Sequence, residues 1–191
     1  MTSIVFAAGG SIETAMLPQR LLYLRADYGV SLVAAVSPGA LEFVTRTALI
    51  GVTGSFVYDP DTRFEPATAL PAHLALADAD LLVVHPATAR IIAQCAAGEV
   101  TCPVTRLFAF TRKDRIVVAP AIHPRMDPRL YEGHLARLRD LGCVVLGGPS
   151  LWTTWAEIEQ CVVARLGLVK SSQAGADVLL DDLVRRAPSD R

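Results

Sequence analysis

The stretch LLVVHPATARIIAQCAAG, Leu81 to Gly98, holds a complete strand-turn-helix unit. Four apolar residues run into His85 and stop at Pro86, as a strand buried on both faces does where proline removes a backbone donor. Ala87, Thr88 and Ala89 follow, and RIIAQCAA then sets its apolar residues at helical spacing, which predicts a helix over Thr88 to Ala97. The turn carries almost no side-chain bulk. Two readings fit it: a tight strand-to-helix turn, or a seat for a flat or phosphorylated ligand, since the N–H groups of a helix start lack partners within the helix.

The same unit recurs on either side. SIVFAA (Ser3 to Ala8) is β-branched and aromatic and ends in Gly9-Gly10-Ser11, with a helix centred on LPQRLLYLRADYG behind it. VSLVAAV (Val30 to Val36) ends in Ser37-Pro38-Gly39, and ALEFVTRTAL reads as the next helix. GSFVYD is a short strand and PAHLALADAD a short helix. RIVVAPA (Arg115 to Ala121) and CVVLGG (Cys143 to Gly148) are strands, each followed by a helical pattern, PRLYEGHLARLRDLG and TTWAEIEQCVVARLG. Continuous apolar strands alternating with helices predict an α/β fold, a parallel sheet covered on both faces. The core pattern fills residues 1–170; 171–191 reads as an extension, partly disordered, with a short helix around Val178 to Val184.

Composition narrows the partners. With 52% apolar and 19% charged residues in 191, a large core is easily filled. A net charge of −1 gives no electrostatic case for nucleic acid or an anionic membrane. No run approaches a membrane span, and the N-terminus lacks the basic flank of a signal peptide, so the sequence predicts a cytoplasmic protein. Cys95, Cys102, Cys143 and Cys161 show no metal-ligand spacing, so they are read as reduced and mostly buried, with no metal site.

Ligands of such sheets gather at the carboxyl ends of the strands. The residues there are Gly9-Gly10-Ser11, Ser37-Pro38-Gly39, Pro86-Ala87-Thr88-Ala89 and Pro120-Ala121-Ile122-His123. All are small or hydroxylated at the turn itself. Gly9-Gly10-Ser11 could seat a phosphate with Ser11 as N-cap, although it is neither GxGxxG nor a P-loop. Four such turns on one edge point to a nucleotide or flavin.

In order and spacing, these features resemble the homo-oligomeric flavin-containing cysteine decarboxylases. The resemblance runs from about Ser3 to Gly148: the Gly-Gly-Ser turn, Ser37 with Ala40 and Phe43 after it, His73 ahead of ADADLLVVHPATA, then APAIHPRM. It implies a flavodoxin-like (Rossmann-like) three-layer αβα sandwich that assembles as a homotrimer or homododecamer, with flavin at a subunit interface. The implied cofactor is FMN, with FAD as the alternative, held by Gly9, Gly10, Ser11, Ser37, Pro86, Ala87, Thr88 and Ala89. Members carry Pro-Ala-Ser/Thr-Ala-Asn-Thr and Pro-x-Met-Asn-x-x-Met. Here Arg90 and Ile91 replace Asn and Thr, Ile122 and His123 replace Met and Asn, and Met126 is retained.

The chemistry implied by the resemblance is oxidation of a substrate cysteine to a thioaldehyde, which draws off the carboxylate as CO2 and leaves an enethiolate. His73 matches the family's catalytic histidine; on its residues alone it is a half-buried histidine in the apolar stretch LPAHLALA. His85, beside the motif, is its rival as base. His123 stands where the family's Asn holds the substrate carboxylate, and an imidazole can donate there too. Met126 and Trp152 join it as substrate-binding candidates, although Trp152 and Trp155 equally suit core packing or a subunit contact. The segment GGPSLWTTWAEIEQC lacks the acidic Cys with which phosphopantothenoylcysteine decarboxylases reduce the enethiol. The resemblance therefore inclines to the peptidyl enzymes of lanthipeptide and linaridin type, acting on the C-terminal cysteine of a precursor peptide. A flavin prenyltransferase, a non-catalytic regulatory relative and a flavin electron carrier are the other classes open.

Overall fold

The computed structural model describes residues 1–171, so the segment around Val178 to Val184 lies outside the described residues. Six strands, β1 (Ser3–Ala8), β2 (Ser31–Val36), β3 (Val57–Tyr58), β4 (Leu81–Ala87), β5 (Ile116–Pro120) and β6 (Val144–Val145), form one parallel sheet in the order β3-β2-β1-β4-β5-β6. The strands are predominantly apolar because both faces are covered. Ile4, Phe6, Ala8, Leu81, Val83 and Val117 enter one core, and Val5, Ala7, Leu82, Val84, Ile116 and Val118 enter the other. That alternation follows from the two-residue period of a strand.

On the first face lie α1 (Leu17–Tyr28), α2 (Arg46–Thr53) and α7 (Trp155–Leu166); on the second lie α3 (Ala72–Ala77), α4 (Ala89–Ala97), α5 (Pro103–Phe110) and α6 (Arg129–Asp140). The three-layer αβα sandwich is therefore the fold. Its strand order reverses between β1 and β4, and the carboxyl ends around such a reversal form a crevice that binds ligands.

Two local readings are corrected and one helix is added. Residues 40–49 are not one helix: a 3-10 turn covers Pro38–Glu42, and α2 starts afresh where the Thr45 hydroxyl accepts a hydrogen bond from the Ala48 N–H at 3.1 Å. The Cys143 to Gly148 strand pairs only at Val144 and Val145. Helix α5 is new. Its start is signalled by Pro103 at a position whose N–H would be unpaired anyway, and Val104, Leu107 and Phe108 bury one helical face.

Candidate functional site

The cavity at the reversal measures about 530 Å³ and is lined from all four strand ends, by Gly10 and Ser11, Ser37 to Gly39, Thr88 to Ile91, and Ala121 to His123 with Met126. Each turn is fixed by its own chemistry. Ser11 Oγ accepts from the Glu13 N–H, Ser37 Oγ from the Ala40 N–H, and Thr88 Oγ1 from the Ile91 N–H. A hydroxyl that accepts in this way keeps its own O–H to donate elsewhere. Three donors and three helical starts thus face one space. Arg90 is the one arginine among the lining residues, which include no lysine and no carboxylate.

Glycine lets the turns approach. A Cβ on Gly10 would fall 2.6 Å from the Gly39 carbonyl oxygen, and one on Gly9 would fall 2.8 Å from the Pro86 carbonyl oxygen. Gly9, Pro86 and Ala87 therefore stand behind the cavity wall, with the Gly9 N–H donating to the Pro86 carbonyl at 3.0 Å. Gly10, Ser11, Ser37, Thr88 and Ala89 line the space itself.

At the far end the chain turns sharply after β5. The Arg125 N–H donates to His123 Nδ1 at 3.1 Å, and the Met126 N–H to the His123 carbonyl at 2.9 Å. A neutral ring that accepts at Nδ1 carries its proton on Nε2. His123 thus presents one N–H donor at the cavity, as an Asn side chain would. Trp152 pairs its backbone with Ala121 and is half-buried but does not line the cavity. Trp155 packs on Phe6, with ring centroids 5.8 Å apart, and lies under the Arg20 guanidinium, so its place is structural.

His73 is not brought together with His123. It lines a second cavity of about 460 Å³ with Thr62, Arg63, Phe64 and Arg106. Its ring rests on Phe110, centroids 4.7 Å apart. Burial first, and then the Arg106 guanidinium, lower its pKa from the ordinary 6.5. His85 is fully buried and lines neither cavity; its Nε2 lies 3.4 Å from Arg20, which is paired to Glu13.

Sequence reasoning missed Cys102. It caps α5, lines the first cavity beside Thr101, and is 8% exposed. Nothing in its spacing marks it; only the Pro103 helix start, which was available to read, would have carried it to the cavity edge. Cys95 and Cys143 are buried, with thiol pKa values raised by desolvation, and Cys161 is half-buried in α7. Among the described residues no cluster could hold a metal, and no helix is long and apolar enough to cross a membrane.

A parallel sheet of this order, with a glycine- and hydroxyl-lined cavity at its reversal, defines an α/β protein that binds a phosphorylated, flat cofactor. The chain belongs to the Flavoprotein family, whose model matches residues 1–167. Among curated relatives, the coenzyme A biosynthesis bifunctional protein CoaBC of Escherichia coli (strain K12) is 33% identical over 150 residues, covering 77% of this chain and 36% of that protein. The CoaBC of Thermococcus kodakarensis is 33% identical over 152 residues, covering 73% and 34%. The chain thus spans about a third of the length of the curated relatives it matches.

Solved structures share the fold. A PPC decarboxylase mutant has a TM-score of 0.75 at 20% identity, covering 87% of this chain and 99% of that one. The FMN-dependent cysteine decarboxylase TvaF from thioviridamide biosynthesis has a TM-score of 0.73 at 24% identity, covering 87% and 97%. FMN is the cofactor that the family and its FMN-dependent neighbours support. The residues present fit it, since free hydroxyl donors, open backbone turns and an acid-free wall suit a phosphate and a flat ring.

Proposed function

We propose that this chain is a flavin-dependent cysteine decarboxylase that acts on the C-terminal cysteine of a precursor peptide. Its product is the aminoenethiol, which closes into an aminovinyl-cysteine ring. The observation that carries the reading is a single cavity that joins a flavin seat to the His123–Met126 turn. When bound, FMN supplies the two-electron acceptor for oxidation at the cysteine β-carbon. The Nε2–H of His123 donates to the substrate carboxylate and orients it, as the Arg125 N–H fixes the other ring nitrogen. His73 takes the thiol proton. Burial and the Arg106 guanidinium lower its pKa and so favour the neutral ring, the form that accepts a proton.

The two histidines lie in separate cavities, so the reading includes assembly. In a homotrimer or homododecamer, the His73 face of one subunit closes the flavin cavity of the next. Exposed Phe64, Leu70, Leu74 and Phe110 around His73 are suited to such burial.

The oxidative outcome is supported by the segment from Gly147 to Thr154, which carries no thiol to supply the proton that reduction of the enethiol would need. A second, reductive reading, that of phosphopantothenoylcysteine decarboxylase, is favoured by Cys102 at the cavity and by the CoaBC relatives. Mass spectrometry separates the two. The FMN-loaded protein is mixed with a Cys-terminated peptide and, separately, with phosphopantothenoylcysteine. Loss of CO2 and two hydrogens from the peptide is the expected result, and loss of CO2 alone from the second substrate supports the reductive reading. A protein that takes up no FMN, or changes neither mass, overturns the decarboxylase reading.

A further inference from the structure

The cavity around His73 has a charge that nothing in its walls answers. Its floor is the loop after β3. Asp59 Oδ1 accepts from the Asp61 N–H, the Thr62 N–H and the Thr62 hydroxyl, which locks the turn, and Arg46 pairs with the same carboxylate. Asp59 is therefore already committed. Glu65 is turned into its own loop, accepting from the Ala67 N–H, the Thr68 N–H and the Thr68 hydroxyl. Two guanidinium groups remain in the cavity. Arg106 is anchored by Nη1 donating to the hydroxyl of Tyr58 at 3.2 Å, and Tyr58 is buried. That partner is a hydroxyl and not a carboxylate. Arg63 is exposed, and neither arginine has a carboxylate partner among the described residues. Two uncompensated cations in one concavity repel each other and focus a positive field, which an anion with several oxygens relieves.

We propose that this cavity is an oxyanion subsite in which Arg63 and Arg106 bind a second anionic group of the substrate, distinct from the cysteine carboxylate. The inference rests on the decarboxylase reading for the word substrate, and it names the class: a cysteine compound that also carries a phosphate or a side-chain carboxylate. Arg106 and Arg63 act as specificity residues. A carboxylate that leaves as CO2 gains nothing from a strong double ion pair in the ground state, whereas a group that stays on the product can be gripped there without cost to the reaction.

The test uses the FMN-loaded full chain and NMR signals of the Arg63 and Arg106 guanidinium N–H groups and the His73 ring. Inorganic phosphate and acetate are titrated separately at constant ionic strength, with sodium chloride as the reference. Saturable shifts at all three residues are expected with at least one oxyanion and not with chloride. Arg106→Gln and the exposed Arg63→Gln should each weaken the effect about tenfold, the order of one charge-assisted hydrogen bond. The anion that saturates first identifies phosphate or carboxylate as the natural group. Shifts no larger than those in chloride, or shifts that survive Arg63→Gln unchanged, overturn the subsite. The titration needs no turnover. Anion binding without decarboxylation would sink only the enzymatic reading, and decarboxylation without anion binding would sink only the subsite.

Discussion

Gly10 and Gly39 touch through their backbones, yet they are not equivalent. A Cβ on Gly10 meets the Gly39 carbonyl oxygen at 2.6 Å, whereas one on Gly39 meets Gly10 Cα at 3.7 Å, an ordinary contact. Gly10→Ala must therefore push the first turn away from the second, at a cost of about 1–3 kcal/mol. It should weaken FMN binding about tenfold or more, while Gly39→Ala binds FMN almost as the parent does. Flavin fluorescence quenching on titration reads both, and equal affinities would refute the asymmetry. His123 gives a second prediction. Its Nδ1 is occupied by the Arg125 N–H, so only the Nε2–H is left to donate. His123→Asn keeps an N–H donor and should retain turnover, whereas His123→Ala should lose roughly 10²-fold, near the cost of removing one catalytic hydrogen-bond donor. An alanine variant as active as the asparagine variant would take His123 out of carboxylate binding.

Elements were legible where one local rule governed them. The Ser3–Ala8 strand is closed by glycine and the Leu81–Ala87 strand ends one residue past Pro86, and the continuous apolar run in each fits between two covered faces. The cavity at the strand ends was legible for the same reason, since in a parallel sheet the hydroxyls and glycines of four strand ends share one edge. What could not be read was tertiary. The helix from Pro103 to Phe110 is short, and its apolar face only acquires meaning once it packs on β1 and β2. The break at Thr45 looks like the middle of a helix until Val44 is seen to be buried. The separation of His73 from His123 could not be read at all, because His73 lies in α3 and His123 follows β5, and where a helix sits over the sheet is set by packing rather than by local sequence. Helix α7 shows the strength of a local rule: Thr154 Oγ1 accepts from the Glu157 N–H, and the Glu157 carboxylate accepts from the Thr154 N–H at 2.7 Å. Thr154→Ala should cost about 1 kcal/mol by urea unfolding. No change in midpoint would mean that packing of Ile158 and Val162 alone sets the start of that helix.

Across the whole molecule, His85 ties stability to acidity. Burial, with the Arg20 guanidinium second, pushes its pKa from 6.5 down to about 4, against the smaller opposing effects of the Ala119 backbone and then Glu13. Between those values the unfolded chain holds the proton that the folded chain refuses. Stability present above about pH 6.5 is therefore lost as pH falls toward 4, by roughly 3 kcal/mol from this group. His85→Leu should flatten that part of the urea-midpoint profile, and an unchanged slope would remove His85 as its source. Assembly yields the sharper test. If one subunit lends His73 to the flavin cavity of the next, a chain lacking His73 and a chain lacking His123 damage opposite halves of a shared site. Each variant alone should be nearly inactive. Co-expressed in equal amounts, they place an intact His73 against an intact His123 at roughly a quarter of the junctions of a closed ring. Turnover should recover to about that fraction of the parent, since only those junctions hold both groups. A site contained within one chain predicts no recovery, because every chain in the mixture lacks one histidine. Recovery therefore demands shared sites, and its absence in a verified mixed oligomer would place both histidines, if catalytic at all, within a single subunit.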